Sequence, residues 1–281
     1  MTFDRRVLFQ LFKYVVYTLL TLNIFIFWRE EFLASQLQFQ GHVPWLDMIE
    51  AYASTIDTAA WVILLLMFEL ETYVLDEQHF LRSVPIALHG TRFVCIVFIL
   101  YAFYGYLVNL LATYDVALLP YLTDLCSLTA DHWSYNVDLD EYVTISAANC
   151  ASFSDSSIFY QFSELPALVD AGGLVDIQRL AWIDTINALV WILIVVILEI
   201  DVRLQERGLL EGLALSIGKG LKVLLYSILF LCAVYWGIKG DFVDFWDAFL
   251  WLVAFFFIEM NVIDWRAEEQ ETYTEQTAWQ D

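Results

Sequence analysis

The chain has 281 residues, 60% of them hydrophobic and 17% aromatic, and its mean hydropathy is +0.62. An ordinary globular chain is roughly 45–50% apolar, so this composition belongs in a lipid bilayer. The 13 Lys and Arg residues against 35 Asp and Glu give a formal net charge of −22, which excludes an electrostatic nucleic-acid binder and argues against clamping to anionic headgroups.

The first apolar segment spans 11–28, after the charged start MTFDRRVLFQ. No small-residue cleavage site follows it before FWREEF, so it reads as an uncleaved first span. The second span, 57–76, contains DTAAWVILLLMFELE. Together they make a first unit, 1–80. The third span, 92–112, and the fourth, 184–203, make a second unit, 81–208. Between them lies the external stretch 114–180, the one sizeable extramembrane region. The fifth span, 220–238, and the sixth, 245–263, make a third unit, 209–265. An acidic polar tail, 266–281, closes the chain. The fold class expected is therefore an all-α polytopic membrane protein of six transmembrane helices, with a small acidic external domain between the third and fourth.

The cations give the orientation. With the N-terminus inside, Arg5, Arg6, Lys13, Arg82, Arg92, Arg203, Arg207, Lys219, Lys222 and Arg266 are cytoplasmic, and Arg29, Arg179 and Lys239 are outside. Six spans then return the C-terminus to the cytoplasm, and a bacterial plasma membrane is the expected location. Cys126 and Cys150 fall in the external stretch, where a disulfide is an expected outcome on an oxidising face. Cys95 and Cys232 fall within spans and act as small apolar residues.

An internal repeat organises the even spans. DTAAWVILLLMFELE, NALVWILIVVILEID and DAFLWLVAFFFIEMN align without gaps. The aligned polar positions are Asp57, Asn187 and Asp247, then Glu69, Glu199 and Glu259, then Glu71, Asp201 and Asn261. Trp61, Trp191 and Trp251 mark the packing ridge. The odd spans correspond more weakly, each opening on a cation: Lys13, Arg92 or Lys222. Three tandem two-helix units follow. In addition, 44–79 and 174–207 have the punctuation of helices long enough to project outside the bilayer, with Pro44 and Gly173 before them.

Between each leading Asp or Asn and its Glu lie 11 residues, about 17 Å of helix in a hydrocarbon core about 30 Å thick. One polar end of each even span should therefore sit at membrane depth. Ionised groups there are expensive and face the protein interior or water. The functional expectation is a quasi-threefold cluster of Glu69, Glu199 and Glu259 that binds or relays cations or protons. Asp57, Asn187 and Asp247 would form an outer tier, with Glu71, Asp201 and Asn261 flanking the inner one. The competing readings are interfacial acids, structural ion pairs with nearby cations, and docking of partner membrane subunits or a homo-oligomer. A non-catalytic scaffold of a larger complex is thus the alternative function. No G-x-x-x-x-G-K-[ST], H-E-x-x-H or C-x-x-C run occurs, so no catalytic residue, cofactor or metal ligand is expected. His42, His79, His89 and His132 are scattered, and DLDEY at 138–142 is only a fragment of a calcium loop.

Overall fold

The computed structural model describes residues 5–38, 48–73, 83–120, 122, 124–129, 133–139, 141–154, 158–163, 166–206 and 212–257. The chain is mostly helical. Five helices contain stretches long and apolar enough to cross a membrane: Phe9–Gln36, Ala53–Leu70, Ile86–Ala112, Ala171–Asp201 and Ser216–Lys239. That is the build of a multi-pass membrane protein. A further helix is described over 242–257. The chain forms two compact units, Met1–Leu22 with Tyr226–Asp281, and Asn23–Leu225.

The larger unit contains the end of α1 (Arg5–Gln38), α2 (Met48–Ala51), α3 (Ala53–Tyr73) and α4 (Ser83–Ala112). It continues through a small sheet domain into α6 (Ala171–Glu206) and the start of α7 (Gly212–Lys239). The helices outrun the apolar segments that announce them. α4 begins at Ser83 rather than 92, and α6 begins at Ala171 rather than 184. At 36 residues, α6 is about 54 Å long, so it covers the long 174–207 expectation and overhangs a hydrocarbon core. The other long expectation, 44–79, is interrupted where described: α2 ends at Ala51 and α3 starts at Ala53.

The fold is not all-α. The stretch 114–180 contains a five-stranded sheet of β1 (Val116–Leu119), β2 (Ser134–Asn136), β3 (Tyr142–Thr144), β4 (Phe159–Phe162) and β5 (Ala167–Asp170), with α5 (Cys150–Phe153) inserted. The strand order is β1-β4-β5-β2-β3. The β2–β5 pair is parallel and the other pairs are antiparallel. Side chains alternate across the central strand β5. Leu168 joins Leu125, Ile145, Cys150 and Phe159 on one face, while Ala167 and Val169 join Phe162, Leu174 and Ile177 on the other. Cys126 and Cys150 are disulfide-bonded, with Cα atoms 4.9 Å apart. Strands of three or four residues leave little apolar alternation to read in the sequence, which is why this region looks merely polar.

The sheet domain joins the helices without an intervening loop at its end. β5 runs directly into α6, and Asp170 caps that helix by accepting a hydrogen bond from the Gly173 N–H at 2.6 Å. A Cβ at Gly173 would fall 2.8 Å from Val169 Cγ2, so the close approach of strand and helix requires glycine. Three side chains of α6 reach across to the end of α4. Gln178 Nε2 donates to the Thr113 carbonyl at 3.1 Å, and Trp182 Nε1 donates to the Tyr114 hydroxyl at 3.0 Å. The Thr185 hydroxyl donates to Ala181 O and, at 3.4 Å, to Tyr106 O.

The smaller unit holds the start of α1, the end of α7 and α8 (242–257). Phe9 and Phe12 of α1 meet Phe257 of α8 edge-on, with centroids 4.9 and 5.6 Å apart. α7 and α8 form a tight hairpin. Gly240 takes the left-handed conformation (φ 92°), and the Gly240 and Asp241 amides both donate to Trp236 O. Asp241 then caps α8 through the Asp244 N–H at 3.3 Å.

Counted from Lys13, Arg92 and Lys222, helices α1, α4 and α7 bury the residues three, seven and ten positions on. These are Val16, Cys95 and Leu225; Leu20, Ile99 and Leu229; and Asn23, Ala102 and Cys232. The spacing traces a single helical stripe.

Candidate functional site

Interior ionisable groups occur near both ends of the larger unit. At one end, Glu31 of α1 is buried and serves the start of α3. Its two carboxylate oxygens accept hydrogen bonds from the Ser54 N–H at 2.7 Å and the Thr55 N–H at 3.1 Å, and the Thr55 hydroxyl donates to one of them as well. A carboxylate from another helix thus takes the place of an N-cap and meets the positive end of the α3 dipole. The Ser54 side chain is hydrogen-bonded to the Tyr106 phenol, and Asp57 and Asp184 lie within electrostatic range of that phenol. Asn187 follows Asp184 by one turn, with a buried Oδ1 that meets no hydrogen-bond donor among the described residues. Asp57 and Asn187 are half-buried members of this unit, whereas Asp247, also half-buried, belongs to the smaller one.

At the other end, Glu69 is buried near the end of α3, at 6% exposure. On α6 the buried acid is Asp201, at 7%. Lys222 of α7 places its Nζ 3.3 Å from Asp201 Oδ2, and the two side chains are only 14% and 10% exposed. One turn before Lys222, Gly218 lets α7 approach this carboxylate: a Cβ there would fall 3.0 Å from Asp201 Oδ1. The result is a near-buried ion pair between consecutive helices, where the apolar stretch Ala171–Asp201 ends and the stretch Ser216–Lys239 begins.

Glu199 has a different environment. It turns outward and pairs with Arg203 one turn on, at 2.7 Å, with side chains 60% and 68% exposed. Residues two apart on a helix point about 200° apart, so burying Asp201 against α7 turns Glu199 away. Glu69 and Glu199 therefore do not share an environment. Glu259 and Asn261 lie outside the described residues, as does the side chain of Glu71. Trp61, Trp191 and Trp251 are all buried.

Two interior groups had no place in the sequence reading as site residues. Lys13 is fully buried, at 1% exposure, with its Nζ 5.2 Å from the Tyr14 ring centroid. Glu31 sits in a charged REE run that reads as a solvated helix end. The available signal for the ion pair was register: Glu71 to Arg92 and Asp201 to Lys222 are both separations of 21 residues. Among the described residues no three His, Cys, Asp or Glu side chains gather as a metal ion would need. The chain matches no protein-family model, no curated protein and no solved structure.

Proposed function

We propose that this chain carries protons or small cations across a bilayer, with Asp201 and Glu69 as its interior acids. The observation that carries the reading is the Asp201–Lys222 pair, two opposite charges held 3.3 Å apart and largely out of water between two membrane-length helices. Such a pair is expensive to desolvate and is weak evidence of a stabilising role, because apolar residues of similar size commonly serve stability as well. Intramembrane ionisable residues characteristically mark ion or proton pathways.

The proposal places six spans as three tandem two-helix units, with both termini in the cytoplasm of a bacterial cell and the sheet domain outside. Its supports are the aligned Trp and acid positions of the even spans, the common burial stripe of α1, α4 and α7, the cation bias of the inside segments, and the disulfide in the sheet domain. Asp201 takes the interior role that the sequence pattern assigns to Glu199.

The test is flux by the full-length protein in sealed liposomes. Wild-type protein conducts; Asp201→Asn and Glu69→Gln insert normally and do not. Equal flux in wild type and both variants would sink the proposal. The second reading, a non-catalytic membrane subunit, is favoured by the sheet domain that β5 and α6 hold rigidly. It requires a partner that co-purifies and a wild-type protein silent in liposomes.

A further inference from the structure

We infer that the translocated ion is the proton, and that the Asp201–Lys222 pair is its exchange point. This rests on the translocation reading above and narrows it. Metal cations shed water only where several oxygen ligands replace it, typically six or more for the hard divalent ions. Asp201 offers one carboxylate, and Lys222 Nζ already stands 3.3 Å from one of its oxygens. An ammonium has three donors and no acceptor, so it cannot help to coordinate a metal cation. Gly218 closes the other approach, since even a methyl group there would press on Asp201 Oδ1 at 3.0 Å. Among the described residues no further pair of His, Cys, Asp or Glu side chains completes a metal site with this carboxylate. A proton needs one base, and Asp201 is one.

The step balances simply. A proton delivered from water to the Asp201 carboxylate forms the neutral acid and leaves Lys222 as the ammonium. Release of the same proton to the opposite side restores the pair, and no electron moves. The charged group that faces Asp201 from α7 is Lys222; on its own helix, Glu199 is engaged by Arg203 on the outward face. Protonation neutralises the Asp201 side of the pair, so it weakens the contact between α6 and α7. Proton occupancy is thereby coupled to the packing of those two helices.

The experiment uses the full chain in liposomes with a trapped pH indicator, and sets the membrane potential with potassium and valinomycin. Parallel vesicles carry sodium or magnesium gradients. The expected result is proton flux in the wild type, at least a tenfold loss in Asp201→Asn, and no sodium or magnesium flux. The double variant Asp201→Asn/Lys222→Met removes both charges and guards against simple misfolding. It should elute and melt as the wild type does, and still lose proton flux tenfold. Sodium or magnesium flux without proton flux would overturn the proton assignment and leave translocation standing. Undiminished proton flux in the folded double variant would overturn Asp201 as the exchange point. Silence of the wild type toward every ion would overturn the translocation reading itself.

Discussion

Removing Lys222 alone should damage the protein far more than removing both members of its pair. In Lys222→Met, the Asp201 carboxylate stays in place at 7% exposure and loses the ammonium 3.3 Å away. Breaking a buried pair by deleting one partner costs about 3–5 kcal/mol, because a charge is left uncompensated. The side chains are 10% and 14% exposed, so some water reaches them, and the lower figure of about 3 kcal/mol applies. For a chain of this size each 1 kcal/mol moves a thermal midpoint by roughly 2–4 °C, so the expected loss is roughly 6–12 °C. Asp201→Asn/Lys222→Met removes both charges of the pair and should melt within a few degrees of the wild type. The assay is thermal unfolding of the full-length protein in detergent, followed by circular dichroism and by monodispersity on a sizing column. A Lys222→Met protein as stable as wild type would refute the buried pairing, and a double variant as unstable as the single would refute the charge-imbalance argument.

Glu199→Gln disrupts an exposed i, i+4 pair, so its stability should change by a few tenths of a kcal/mol at most, and liposome flux should persist. Eliminating the Cys126–Cys150 bond, which closes a separation of 24 residues, should cost about 3 kcal/mol in the sheet domain, read as faster proteolysis of that domain while the helices stay intact. Gly173→Ala forces a methyl group to within 2.8 Å of Val169 and 3.1 Å of Asp170, so it should loosen the strand-to-helix junction by about 1–3 kcal/mol, measured as a lower thermal midpoint. Burial, reinforced by the Asp170 charge, pushes the Tyr135 phenol above its usual pKa, against the opposing hydrogen bond from the Asp170 amide. Since the folded value is raised, the sheet domain keeps this contribution below the unfolded tyrosine value near 10. It then loses the contribution as pH rises through the folded one. Spectrophotometric titration should show one late-titrating tyrosine fewer in Tyr135→Phe than in the wild type, and that variant should have a weaker alkaline loss of stability.

The membrane character was legible because apolar runs near 20 residues have few alternative uses. The turn between α7 and α8 falls within the 239–244 gap between the expected fifth and sixth spans, and it is shorter than that gap because both helices run further than their apolar cores. The sheet domain was hidden by the size of its strands. Leu168 and Val169 point to different cores, and two faces of a four-residue strand do not stand out among aspartates. Helix ends were hidden as well, because α4 and α6 extend into polar sequence and are secured there by tertiary bonds. Gln178 to Thr113 and Trp182 to Tyr114 link residues 65 and 68 positions apart, which no local pattern records. The role of Glu31 was illegible for the same reason: only the fold brings it to the start of α3.

The acid positions show where a repeat in sequence stops being a repeat in space. On α3 the buried pair of markers is Trp61 and Glu69; on α6 it is Trp191 and Asp201. Eight residues advance a helix by about 80° past whole turns, whereas ten residues leave it about 80° short of the next. The two helices therefore bury opposite flanks of the same tryptophan ridge. Glu199 matches Glu69 in alignment and faces the other way. The cation-bearing helices keep their stripe, with Val16, Cys95 and Leu225 buried at equivalent places, whereas α3 and α6 diverge at their acids. An assembly of that kind does not present three equivalent glutamates to one ion. It presents acids in unlike settings: Asp201 beside Lys222 in the interior, and Glu199 beside Arg203 on an exposed face.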